Sequence, residues 1–190
     1  MGVVAISVDY HLVPGQRVAS AAGIDPDTPA GWAVDKLGGS LTVVVVVLAL
    51  TLVSGRTPSS LYLRRGRLGL GLAVGLATFA AAAATAIPLA GFLFGGRDLG
   101  LARVLPWTPW LLVFVLSNAF AEELLFRGLF LGPLEPLIGR FHANLAALLP
   151  LALAWGWLTQ KSEGIWGSVL LHAGMDISVM VGMFSNLPGA

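Results

Sequence analysis

Long apolar runs alternate with short polar breaks along this chain, and the runs are too long for the alternating pattern of half-buried strands. Five runs stand out, at residues 40–54, 68–94, 111–131, 143–159 and 165–184. A helix that crosses a bilayer needs roughly 20 consecutive apolar residues. The second, third and fifth runs meet that requirement, while the first meets it only by extending backward through Gly38 and Gly39. The fourth contains Pro150 in its middle, so it reads either as a kinked crossing or as two short pieces. The pattern predicts an all-α fold, a polytopic membrane helical bundle of about five transmembrane helices.

Composition strengthens this reading. Of 190 residues, 56% are hydrophobic and only 11% charged, with a mean hydropathy of +0.84, which is not the profile of a soluble domain. Cysteine is absent, which excludes disulfides, thiolate catalysis and cysteine-ligated zinc. The first residues lack the basic start and long apolar core of a signal peptide, so no cleaved export signal is expected.

Three regions follow from these breaks. Residues 1–38 read as an N-terminal extracytoplasmic or interfacial segment, with a turn-rich stretch at Asp25, Pro26, Asp27 and Pro29 and a short interfacial helix at 32–37. No chemistry is legible there, and His11 reads as a solvated loop residue. Residues 39–109 read as accessory transmembrane helices. The loop 55–67 between the first two carries Arg56, Arg64, Arg65 and Arg67, which marks it as cytoplasmic and leaves the N-terminus outside. A juxtamembrane basic loop accounts for these arginines without a nucleic-acid partner, so the expected partner there is the lipid bilayer. The second run is rich in small residues, among them Gly69, Gly71 and Gly75, and reads as a packing helix kinked at Pro88. The loop 95–109 is expected outside, with Trp107 and Trp110 as interfacial anchors.

Residues 110–190 hold the chemistry. Glu122, Glu123 and Arg127 interrupt the third apolar run, and a charged residue at mid-bilayer costs about 2.5–3.5 kcal/mol on insertion scales. Such residues face a protein interior and carry function. Glu123 and Arg127 lie four apart on one helical face and can pair, whereas Glu122 is rotated by about 100° and stays free. Asn118 lies one turn before Glu122 and is expected to face the same cavity. His172 and Asp176 are again four apart on an apolar helix, so the carboxylate can orient the imidazole. A free glutamate, a histidine and an acid to hold it are the parts of a general-base hydrolase.

These residues resemble a known family. Glu122-Glu123-x-x-x-Arg127 followed by His172-x-x-x-Asp176, with flanks EELLFRGLFLGPL and TQKSEGIWGSVLLHAGMD, is similar to the CAAX-protease and bacteriocin-processing (CPBP, or Abi) family of intramembrane endopeptidases. The similarity covers residues 110–180. It implies hydrolysis of a membrane-associated peptide or protein by an integral protein, in this reading one of a bacterial-type plasma membrane. Glu122 then activates water, Glu123 and Arg127 support it, and His172 and Asp176 are the matching later motif. The resemblance leaves metal dependence open. Glu122, His172 and Asp176 are the candidate ligands for a divalent ion such as zinc, yet one histidine with carboxylates is a poor zinc set, because hydrolytic sites normally use three protein ligands.

The chain departs from the family in the middle. No Phe-x-x-x-His can be written between Arg127 and His172, His142 being the sole histidine there, and the core is shortened between 141 and 160. With one crossing between them, the helices bearing Glu122 and His172 would run parallel and hold those groups roughly 9 Å apart along the membrane normal. A re-entrant break at Pro150 would make them antiparallel and bring them level. His142 could replace the missing histidine only by folding back; otherwise it is a solvated loop residue. Three functions are therefore carried forward: an active endopeptidase, a degenerate homologue that binds membrane peptides or proteins without cleaving them, and a small transporter or proton relay using the same carboxylates.

Overall fold

The computed structural model describes residues 1–95, 99–146 and 150–188. Its helices are α1 (Gly2–Leu12), α2 (Pro14–Ala21), α3 (Pro29–Val53), α4 (Leu68–Phe94), α5 (Leu101–Val104), α6 (Thr108–Glu123), α7 (Gly132–Ala146), α8 (Pro150–Ser162) and α9 (Trp166–Phe184). A π-helical stretch, Leu124–Leu131, continues α6 into α7. No strand occurs among the described residues, so the fold is all-α.

Among the described residues, four helices are long and apolar enough to cross a membrane: α3, α4, the stretch Leu101–Asn144 that contains α6, and α9. The protein is an integral membrane protein. The first span starts well before its apolar run because Thr28 caps it, its hydroxyl accepting the Gly31 N–H at 3.1 Å, with Pro29 in the first turn. The expected interfacial helix at 32–37 is therefore part of α3. The turn-rich N-terminus is also more regular than its sequence suggests, since α1 and α2 both pack on α3. The backbones of α2 and α3 meet at Gly15 and Gly38, where a Cβ on Gly38 would collide with the Gly15 Cα.

The contacts fix the direction of each span. Gly71 meets Gly167, Gly75 meets Leu170, and Phe79 meets Gly174, so α4 and α9 run parallel in close backbone contact. Trp107 and Phe114 reach Phe184, while Asn118 reaches Asp176 and Glu123 reaches His172, so α6 and α9 run antiparallel. Pro88 lies within a continuous α4. Trp107, expected as an interfacial anchor, is instead packed inward at 7% exposure against Phe184 and Arg103, because α5 folds the chain back over the end of α9. Part of the loop expected at 95–109 lies outside the described residues.

The antiparallel pairing needs an even number of crossings between α6 and α9, and α7 with α8 supply it as a hairpin. The run 143–159 is divided between the two, and residues 147–149 lie outside the described residues. The 13 residues of α8 would span about 20 Å, short of the roughly 30 Å hydrocarbon core. Gly139 breaks α7 with φ +77° and ψ 160°. Beyond it, Arg140 donates to the Gln160 carbonyl at 3.5 Å, Gln160 donates back to the Arg140 carbonyl at 3.1 Å, and Asn144 donates to the Gln160 side chain at 2.9 Å. The hairpin thus leaves and returns at one end of the bundle, where the Arg67 N–H meets the Ser162 carbonyl at 2.6 Å.

Two outcomes follow. Single cysteines at positions 64, 140 and 161 should be labelled by an impermeant thiol reagent from the same side of the membrane, and one at position 28 from the other. Gly167→Leu should lower resistance to denaturation by about 1–3 kcal/mol or more by overpacking against the α4 backbone, while Gly91→Ala, with open space beside it, should change stability by less than about 1 kcal/mol. Unfolding in mixed micelles measures both.

Candidate active site

The site forms where the end of α6 passes the middle of α9. The Glu123 carboxylate is fully buried and faces two partners at once. Its Oε2 lies 3.4 Å from the Arg127 Nε, one turn on, and its Oε1 lies 3.0 Å from the His172 Nδ1 across the helix interface. The pair expected from sequence is therefore present, and it also orients the imidazole. The i to i+4 spacing assigns that task to Asp176, but its Oδ1 is 3.7 Å from the His172 Nε2, farther than Glu123 is from Nδ1. Asp176 is itself held by Asn118, whose amide donates to Oδ2 at 2.8 Å. The register of α6 places Asn118 and Glu122 one turn apart, so both face the cavity as their spacing suggests.

Glu122 is the open member of the group. Its Oε2 is 3.5 Å from the His172 Nε2, and its side chain is 39% exposed against 1% for Glu123 and 11% for His172. All five residues singled out by sequence, Glu122, Glu123, Arg127, His172 and Asp176, belong to this region. His142 does not: it lies exposed on α7, stacked edge-on with Phe141.

Trp155 on α8 stands beside the imidazole instead. Its ring stacks on His172 with centroids 5.0 Å apart and planes 20° from parallel, and the Arg127 guanidinium lies 5.9 Å from its centroid. Sequence offered no sign of this, because a tryptophan in an apolar run reads as packing. The π-helical stretch begins directly after Glu123 and carries Arg127, consistent with the tendency of such widened turns to occur at functional sites.

Glu122 opens onto a cavity of about 490 Å³ between α1, α3 and α6. Asp9 and Tyr10 from α1 and Asp35 and Lys36 from α3 line its polar side; Val43, Leu125 and Phe126 line its apolar side. The N-terminal region thus contributes chemistry that its sequence did not announce. Burial and then the neighbouring Asp35 push the Asp9 carboxyl above the ordinary carboxylate range, with Lys36 opposing. Val13, which joins α1 to α2 and lines the same cavity, holds a left-handed backbone (φ 40°) unfavourable for a β-branched residue.

A metal does not fit these residues well. No group of three or more His, Asp or Glu side chains among the described residues is arranged to hold one. The single imidazole commits one nitrogen to Glu123, and the oxygens near its other nitrogen are 3.5 and 3.7 Å away. What the arrangement can do unaided is hold a water at Glu122 beside a polarisable imidazole.

Removing one partner of the buried pair leaves an uncompensated charge. Arg127→Met should therefore destabilise the protein by about 3–5 kcal/mol, and Glu123→Gln added to it should restore part of the loss, as read from thermal denaturation in detergent. No family model, curated protein or solved structure matches this chain, so its functional reading rests on this geometry.

Proposed function

We propose that the protein is an intramembrane endopeptidase of the CPBP type, acting on a peptide or protein segment in or beside the bilayer. The observation that carries this reading is the meeting of Glu122 and Glu123 with His172 across antiparallel helices, with Glu122 alone open to a cavity. Glu122 takes a proton from a water, whose oxygen attacks the peptide carbonyl carbon. The resulting oxyanion is stabilised by His172, which in its protonated form donates from Nε2 while Nδ1–H stays bonded to Glu123. The C–N bond then breaks, and the amine leaves with the proton held by Glu122, giving a new carboxyl end and a new amino end. Asp176, held by Asn118, faces the same Nε2 from 3.7 Å and favours the protonated imidazole.

In this reading the end carrying loop 55–67 faces the cytoplasm of a bacterial-type plasma membrane and the N-terminus lies outside. The charge distribution supports it, since Arg56, Arg64, Arg65, Arg67, Arg140 and Lys161, six of the eleven basic residues, fall at that end. One observation favours a second reading, a homologue that binds membrane peptides without cleaving them. The site holds one histidine, and Trp155 occupies the flank where another donor would be useful.

Purified protein reconstituted in lipid should cleave members of a membrane-peptide library, and Glu122→Gln should lower the rate by about 10²–10⁴-fold, the usual contribution of a positioned base. Peptide binding without cleavage by folded wild type would select the second reading. Cleavage that persists in Glu122→Gln would remove this glutamate from the mechanism, and loss with a chelator would bring a metal into it.

A further inference from the structure

A second cavity, of about 390 Å³, lies beside the start of α4 where α7 and α8 meet through Arg140 and Gln160, and none of the carboxylates of the candidate site lines it. Arg67, Arg140 and Lys161 line it, with Glu163 as the one acid. The amides of its floor bond with each other and with backbone, Asn144 donating to the Gln160 side chain and Gln160 to the Arg140 carbonyl, while the Asn144 Oδ1 has no partner among the described residues. The cations are less committed. Glu163 lies 3.9 Å from Arg64 and Glu135 lies 4.0 Å from Arg140, both long, partly exposed pairs of little strength. Among the described residues, no carboxylate comes within 4.0 Å of the Arg67 or Lys161 side chains.

The surroundings identify the level of the bilayer. Phe141 and Trp157 line the same cavity and are 69% and 56% exposed, a large aromatic surface beside cations at the ends of apolar helices. Aromatic rings with adjacent basic residues are the pattern of the membrane interface, where lipid phosphates lie. We propose that this cavity binds the phosphate of an anionic phospholipid headgroup, with Arg67, Arg140 and Lys161 as its donors and Phe141 and Trp157 against the adjoining acyl region. Three cations against one acid favour a headgroup with net negative charge over a zwitterionic one, whose choline would meet the same cations unfavourably. Fixed there, the lipid bridges the start of α4 to both arms of the hairpin that carries Trp155. The inference does not depend on the peptidase reading.

Native mass spectrometry of the full chain from micelles containing equal phosphatidylglycerol and phosphatidylcholine tests it. Wild type should retain phosphatidylglycerol preferentially, and Arg67→Gln with Lys161→Gln should lower that preference by roughly five-fold for each cation removed. Glu163→Gln should raise it, a gain that misfolding cannot produce. Equal retention of the two lipids by wild type, or a preference unchanged in both variants, would overturn the proposal. Displacement of phosphatidylglycerol by an equal concentration of inorganic phosphate would do so too, by assigning the same donors to a soluble phosphate compound.

Discussion

The buried pair of Glu123 and Arg127 is the constraint on which the rest of the bundle depends. Neither group can face lipid, and neither retains water, since both are almost wholly enclosed. Their helix must therefore bury one side against protein at that depth. The His172 imidazole closes one flank and the Trp155 ring closes the other, so both α8 and α9 are drawn to the end of α6. The close approach of α4 to α9 through Gly71, Gly75, Gly167 and Gly174 then holds α9 from behind. Packing and polar satisfaction point to the same arrangement, which is what makes it a single structure.

This arrangement divides the two adjacent glutamates by role. Glu123 is committed to an arginine and an imidazole and is closed off; Glu122, one residue earlier, faces the cavity under α1. A helix turns each successive side chain by about 100°, so neighbouring residues can face a packed interface and an open space respectively. The cavity is completed by α1 and α2, far along the chain from the carboxylates and the histidine they cover. Their Asp9 and Tyr10, with Lys36 of α3, give a polar rim to what would otherwise be an apolar cleft.

The hairpin of α7 and α8 decides the relative direction of α6 and α9. What matters for the carboxylates and His172 is the parity of crossings between their helices. A hairpin that enters and returns gives the same parity as two full spans and uses far fewer residues. It can do so because its backbone breaks at Gly139, where a positive φ is readily adopted, and because its polar groups at Arg140, Asn144 and Gln160 bond across it.

Much of this was legible in the sequence because it depends on local properties. Apolar run length declared the membrane class and the spans α4, α6 and α9, and the i to i+4 spacing declared the Glu123–Arg127 pair and the proximity of Asp176 to His172. Charge within an apolar run marked Glu122, Glu123, Arg127, His172 and Asp176 as one set, and they are near one another. Other features depended on which helix lies beside which, and composition carries no record of that. The orientation of the imidazole by Glu123 and the bond from Asn118 to Asp176 arise only when α6 and α9 are antiparallel. The stack of Trp155 on His172 needs the hairpin, and the contribution of Asp9, Tyr10 and Lys36 needs α1 folded onto α3. Spacing along one helix fixes which side chains share a face. Only tertiary packing, by choosing the direction of each span and what covers each buried charge, decided what those faces meet.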